Sequence, residues 1–402
     1  MFAADPPHVG ILGPVDLRRV SSLKIDDESL FNESFPLVGD IANGLAALGC
    51  QLTCISLSRK VSHITRFENS GKNIVAFLVP QRAKRSAFDF YRTERKRLHE
   101  ILAGLPCDLY HAHWTYEYAA AAIESGRRHL VTAHDNPLMA ARWFRFTRSY
   151  PHWIARSLLG RNILSRTKAF SAVSEYLLKL LKPCLRSDCR SFLTPNGIPD
   201  TLLNFGRANS APHSLCKSRN IVTVMNGFRN MKNGASALRG FGMFLKSNPC
   251  YYLHMFGASY EPGGEAETWA KQHGFSQNVF FYGPQNQRIV HDFISRQGWT
   301  MLHTSLDESF GMAPLEAMAL GVPVVGGLVS GNIPFLLQKG KAGVLTTVTN
   351  PSAIANSLES LKNSDFYEQI RREAFLAARQ YSLHNCVSRY MEVYRTILAS
   401  PC

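Results

Sequence analysis

Residues Asp307–Val325 read DESFGMAPLEAMALGVPVV, and this stretch decides how the rest of the chain is read. WTMLHTSL, just before it, has the pattern of a strand, and so does VPVVGG just after. Between them LDESFG reads as a loop and MAPLEAMAL as a helix, with Gly321 as its left-handed stop. Strand, loop, helix and strand in this order imply parallel pairing. Two glutamates, Glu308 and Glu316, fall eight positions apart across the turn. The amides of Phe310, Gly311 and Met312 lie at the helix start, where unpaired N–H groups and the helix dipole favour a phosphate or an anionic sugar-phosphate. Gly311 lets a ligand approach the backbone closely. Glu316, deeper in the helix, has the chemistry to accept two hydrogen bonds from a vicinal diol such as a ribose. A carboxylate beside apolar sequence needs partners of that kind. The spacing equally fits a plainer reading, with Glu308 in a helix cap and Glu316 paired to a basic side chain.

The same alternation extends outward in both directions. HVGILG, QLTCISLS, NIVAFLVP, DLYHAHW, HLVTAHD and AFSAVS read as strands, and LVGDIANGLAALGC has helical spacing with Gly49 as its stop. TPNGIPDTLLNFGRANSAPHSL, from Thr194 to Leu215, is rich in Pro, Gly, Asn and Ser without a clear period and reads as a linker. After it come the strands NIVTVMNG, YYLHMFG and NVFFYGP and the helices ASALRGFGMFLKSN and RIVHDFISRQG. The expected fold class is α/β, with two Rossmann-like domains over residues 1–200 and 215–382. Ligands bind such sheets beyond the carboxyl ends of the strands, so a site is expected in a central cleft between two facing sheets.

Composition bounds the function. The 402 residues are 45% hydrophobic and 19% charged, which suits two globular domains. Lys and Arg number 45 against 30 Asp and Glu, a net charge of +15 that favours an anionic partner. Nine cysteines without a C-x-x-C pair exclude common zinc and disulfide frameworks and point to a reducing compartment. The start, MFAADPPHVGILGPVD, is not that of a secretory signal, and no apolar run is long enough to span a bilayer. The expectation is a cytoplasmic protein, peripheral on the inner face of the membrane. Two basic runs fit that expectation. Ala140–Lys168 holds seven basic residues and no acid, interleaved with Trp143, Phe144, Phe146, Tyr150 and Trp153, and Gln81–Arg97 is the second. Such runs suit an anionic bilayer surface, RNA or single-stranded DNA, or an ordinary solvated face over core aromatics. The lipid surface is the preferred reading, and a nucleic-acid partner is not expected.

Asp307–Val325 closely resembles the E-x7-E signature of glycosyltransferase family 4, retaining enzymes of GT-B fold. Other segments follow in the order that family has. ILGPVD is similar to its N-terminal glycine loop, DLYHAHWTYEYAAAAIESG and HLVTAHD to its acceptor-domain histidine segments, and SAVSEYL with PNGI to the strand and turn before the hinge. SGNIPFLLQKGKAGVL is similar to the segment after the motif. The resemblance implies that Glu316 holds the ribose hydroxyls of a nucleotide-sugar, and that Glu308 lies near the anomeric carbon of the donor sugar. It implies that amides around Phe310, Gly311 and Met312, together with Gly13, line the donor. His134 would reach the donor sugar, with His111 and His113 on the acceptor side. Lone histidines at strand ends are also ordinary structural residues. Arg229 and Lys232, in NGFRNMKNG, would neutralise the leaving diphosphate. Their spacing is shorter than the family's usual one, Phe335 and Asn332 replace a Glu and a Gly of its G-G-x-P-E segment, and Thr304 stands in place of a Pro. No D-x-D occurs, so neither a metal nor another cofactor is expected. The C-terminal SLHNCVSRYMEVYRTILA reads as an amphipathic helix, and in this fold residues 383–402 would pack back on the first domain.

The function expected is a retaining hexosyl transfer from a nucleotide-sugar to a glycan or lipid-linked glycan, in surface polysaccharide assembly. Rival readings are a phosphorylase or epimerase of the same fold, and a non-catalytic protein that binds nucleic acid or an anionic surface through its basic runs.

Overall fold

A computed structural model of the chain describes residues 6–20, 23, 25, 30, 35–69, 71, 73–209 and 218–399. The end of the expected linker, residues 210–215, lies outside the described residues, as do Cys216 and Cys402. The chain divides into two compact units, Met1–Gly197 with Leu383–Cys402, and Ile198–Ser382.

The first unit holds β1 (His8–Leu12), β2 (Gln51–Ser58), β3 (Thr65–Glu68), β4 (Ile74–Pro80), β5 (Leu109–His113), β6 (His129–Ala133), β7 (Ala169–Ala172) and β8 (Arg190–Leu193). They form one sheet in the order β3-β4-β2-β1-β5-β6-β7-β8. Every pair is parallel except β3 with β4. Its helices are α1 (Pro36–Ala47), α2 (Arg92–Ala103), α3 (Glu117–Glu124), α4 (Ala140–Trp143), α5 (Tyr150–Arg166) and α6 (Glu175–Leu181). β5 and β6 are buried along their whole length, as strands covered on both faces must be.

The second unit opens with α7 (Asp200–Asn209) and has the strands β9 (Asn220–Val224), β10 (Tyr252–Phe256), β11 (Val279–Gly283), β12 (Gly298–His303), β13 (Val324–Gly327) and β14 (Val344–Thr346). Their order is β11-β10-β9-β12-β13-β14, all parallel. The helices between and after them are α8 (Gly234–Leu245), α9 (Glu265–His273), α10 (Gln287–Gln297), α11 (Met312–Ala319), α12 (Ile333–Leu336), α13 (Pro351–Ser360) and α14 (Ser364–Ala378). The last helix, α15 (Leu383–Leu398), belongs to the first unit, where Tyr390, Tyr394 and Ile397 join a core built on Val9, Ile11 and Ile41. Trp299, Phe241 and Leu253 centre a separate core in the second unit.

Each sheet has one point where the strand order reverses. In the first unit it lies between β1 and β5, in the second between β9 and β12. Loops leaving such neighbours diverge to opposite faces and open a crevice at the carboxyl ends.

The expected linker needs correction. Its stretch from Asp200 to Asn209 is helical, because Leu202 and Leu203 bury on one side and Gly206 lets α7 lie against the end of α11. A β-carbon at Gly206 would collide with the Ala319 carbonyl. Residue composition suggested a linker there because the apolar positions are few and the helix draws its stability from packing. Several other elements escaped the sequence pattern, α9 and β3 among them. EAETWAKQH, α9, buries only Ala266 and Ala270, and the short edge strand β3 alternates between half-buried and exposed residues.

Candidate active site

The opening stretch folds as its pattern predicts. β12 ends at His303, the loop Thr304–Gly311 follows, and α11 begins at Met312. Gly311 has φ +100°, a left-handed value that glycine adopts without strain, and α11 starts without a side-chain cap, so its first amides stay open to a ligand. Gly321 ends the helix at φ +74°.

Glu308 sits in this loop with its side chain 16% exposed. Its Oε1 accepts a hydrogen bond from Lys232 Nζ at 2.6 Å and lies 3.3 Å from His303 Nε2. Burial alone pushes the Glu308 carboxyl up. The Lys232 charge and the His303 hydrogen bond outweigh it and hold the group well below the usual carboxylate range. Lys232 arrives from the loop after β9, across the strand-order reversal. Asn233 ties that loop to the end of β12, its Nδ2 donating to the carbonyls of Thr304 and Val348. Asn332 braces the other side, donating from its backbone to the Glu308 carbonyl and from Nδ2 to the Phe310 carbonyl. The Asn that departs from the family's usual glycine is therefore a brace of the glutamate loop.

Glu316 lies in the second turn of α11, 16% exposed, and is held from α10. Gln287 Nε2 donates to Oε1 at 2.9 Å and His291 Nε2 to Oε2 at 3.0 Å. Phe310 is buried, its ring edge-on to Tyr381. Arg229 takes another direction. It pairs with Glu265 at the start of α9, with 71% of its side chain exposed, and does not join Lys232 at Glu308. Sequence reading passed over His303, Gln287 and His291. His303 carried a usable signal, since it ends a strand as His113 does.

In the first unit the three histidines converge at the ends of β5 and β6. His113 Nδ1 and His134 Nε2 share a hydrogen bond of 2.9 Å. His111 is bound at both nitrogens, by Tyr394 Oη of α15 and by Thr132 Oγ1, each at 2.7 Å. Burial pushes His111 and His134 down to about 3 and His113 well below the usual imidazole range, so all three are neutral near pH 7. Gly13, just after β1, packs against the His113 side chain.

Beside them, at the same sheet edge, is a cavity of about 170 Å³ walled by Pro14, Leu57, Gln81, Trp114, Tyr116, Glu117, Tyr118 and Arg156. Arg156 therefore needs correcting from surface cation to cavity wall. Its guanidinium lies 3.6 Å from the Tyr116 ring centre, donates to Tyr91 Oη at 2.7 Å and stands 4.0 Å from Glu117 Oε2. In the second basic run Arg82 pairs with Asp89 and Glu94, Arg95 with Glu124 and Lys96 with Glu100. Among the described residues Arg142, Arg145, Arg148 and Arg161 have no acidic partner, and Phe146 among them is 95% exposed. No described helix is long and apolar enough to cross a membrane.

Comparison with known proteins places both units. Residues 37–202 match the family described as Glycosyltransferase Family 4, and residues 207–377 match Glycosyl transferases group 1. Over 188 residues, 46% of this chain and 48% of the relative, the chain is 35% identical to N-acetyl-alpha-D-glucosaminyl L-malate synthase of Bacillus anthracis. Over 137 residues, 34% of this chain and 32% of the relative, it is 31% identical to D-inositol 3-phosphate glycosyltransferase of Corynebacterium urealyticum. The chain thus spans about half, or less, of the length of these relatives. Sucrose-phosphate synthase of Thermosynechococcus elongatus shares the fold, with a TM-score of 0.75 at 14% identity, over 98% of this chain and 100% of that one. With two parallel-sheet Rossmann-like units on a GT-B fold and a family match along most of each, the chain belongs to the family 4 type of glycosyltransferases.

Proposed function

We propose that the protein moves a glycosyl group from a nucleotide-sugar to a hydroxyl of a glycan or lipid-linked glycan, with retention at the anomeric carbon, in surface polysaccharide assembly. One observation carries the reading. Two carboxylates, one ammonium and an open helix start meet at the carboxyl edge of the second sheet, beside its strand-order reversal. Glu316 takes the ribose, and the amides of Phe310, Gly311 and Met312 take the donor sugar or its phosphate. Lys232 faces the charge that grows on the departing diphosphate, while Arg229 would have to leave Glu265 to join it. In the transfer the bond from the anomeric carbon to phosphate oxygen breaks and a bond to the acceptor oxygen forms on the same face. The hydroxyl proton passes to the leaving phosphate. No metal or other cofactor enters this scheme.

The first unit supports a glycan as acceptor. Trp114, Tyr116 and Tyr118 give the cavity an aromatic lining of the kind sugars pack against, and Glu117 Oε2, buried in the wall, has no hydrogen-bond partner. The Arg156 charge is already faced by Glu117 and Asp135, so the cavity suits a neutral polyol better than an anionic acceptor of the malate or inositol-phosphate kind. The unpaired arginines around Phe146 support an anionic membrane surface as the place where a lipid-linked acceptor is met.

Thermal melting against nucleoside diphosphates and their sugars tests the donor half. A ligand at a hundred times its dissociation constant adds about 2.7 kcal/mol, a shift of roughly a few degrees. One base should stabilise the protein, and Glu316→Ala should abolish that shift. If no nucleotide shifts the melt while random oligonucleotides or anionic vesicles do, the transferase reading fails and the basic face is the functional one.

A further inference from the structure

Glu308 and Glu316 are held by opposite chemistries. Glu308 is matched by a full cation, Lys232. Glu316 has no lysine or arginine partner among the described residues and is held only by the amide of Gln287 and the imidazole of His291. These two stand one helical turn apart on α10, on the face whose Val290 and Ile294 are buried, so a rigid and anchored surface presents both donors. Asn286 caps the helix just before them, accepting from the Arg288 amide.

Each donor binds a different oxygen of Glu316, which fixes the carboxylate plane from both ends. A carboxylate accepts about four hydrogen bonds. One position on each oxygen therefore remains, and the side chain's 16% exposure keeps it within reach of a ligand. Two free acceptor positions on adjacent oxygens, in a fixed plane, match two hydroxyls on adjacent carbons. A carboxylate tied at one oxygen only would swing, and one neutralised by a cation would be a weaker acceptor.

We propose that Gln287 and His291 are positioning residues that orient Glu316 toward a vicinal diol, and so make the site distinguish ribonucleotides from 2′-deoxyribonucleotides. The proposal rests on the reading of Glu316 as the ribose-binding group. A residue that merely joined α10 to α11 would affect stability and every ligand alike. Positioning of the diol acceptor affects the ratio between two ligands that differ by one hydroxyl.

The experiment is calorimetric titration of the full chain with UDP, GDP and ADP, then with the 2′-deoxy form of whichever binds. The wild type should prefer the ribonucleotide by roughly tenfold or more, the worth of one hydrogen bond to a charged acceptor. His291→Ala should shrink the preference to about threefold or less, chiefly by weakening the ribonucleotide. His291→Gln, which keeps an N–H donor at similar reach, should restore most of it, and Gln287→Ala should lie between. Melting without ligand checks that each variant is folded. Should His291→Ala not fold, His291→Gln and Gln287→Ala decide by the same ratio. An unchanged ratio in the variants overturns the proposal and leaves a plain helix-to-helix contact. Equal binding of both forms by the wild type overturns it together with the ribose role of Glu316, but leaves a nucleotide-dependent transferase standing. Binding of no nucleoside diphosphate overturns both.

Discussion

The histidine group of the first unit and the glutamate loop of the second lie at equivalent sheet edges and solve burial differently. His111, His113 and His134 are enclosed with tyrosine, threonine and one another, with no carboxylate hydrogen-bonded to them among the described residues, and give up their charge. Glu308 is enclosed beside Lys232 and His303 and keeps its charge. Desolvation acts against the charged form in both places. The outcome turns on whether an opposite charge lies within hydrogen-bond distance. A neutral group suits contact with substrate hydroxyls. A charged, paired group suits a place where negative charge will appear and the pairing can be exchanged.

The largest test of this contrast removes the countercharge. Lys232→Met strands the Glu308 carboxylate and should cost about 3 kcal/mol of stability, read from the denaturant midpoint. Adding Glu308→Gln should recover most of it. A single variant that costs less than a tenth of this would mean that the ammonium contributes nothing to keeping Glu308 charged.

Acid separates the two regions next. The folded chain holds His111 and His134 at about 3, while the unfolded chain takes up protons from the ordinary value of 6.5 downward. The unfolded state thus binds more protons as pH falls, and the stability these groups support is complete above that value and is lost toward 3. Each should cost about 2 kcal/mol at pH 5. Glu308, with a lowered carboxyl, supports stability above the ordinary 4.5 and loses most of it below, so it changes by only about 0.2 kcal/mol between pH 7 and 5. Hydrogen exchange at pH 7 and 5 should show weakened protection in β5 and β6 and unchanged protection in β12. Equal weakening in both would break the comparison.

The smallest effect sharpens how the neutral group is kept in place. Tyr394→Phe removes the hydroxyl on His111 Nδ1 and should lower stability by about 1 kcal/mol, seen as a modest fall in melting temperature. No change at all would mean that packing alone holds His111.

Much of this was legible in the residues themselves. Short apolar runs alternating with helical spacing specify parallel sheets, because each strand must be buried on both faces. Gly311 and Gly321 mark the ends of α11 through backbone angles that other residues avoid. Two glutamates eight apart across such a turn fit a ligand site and a plain helix cap equally, and the resemblance to family 4 is what favoured the site. Partners were not legible, since they come from elsewhere in the chain. The Lys232–Glu308 pair spans 76 positions and the His111–Tyr394 bond spans 283. Arg156 reads in sequence as one more surface cation, and only the packing of α5 against Tyr91 and Tyr116 turns it inward. In the same way α7 passes for a linker until α11 offers it a surface. Local pattern determined where strands end and where α11 starts behind a left-handed glycine, because backbone geometry depends on near neighbours. Tertiary structure alone decided which charges survive there, because solvation and countercharge depend on what the fold brings within a few ångströms.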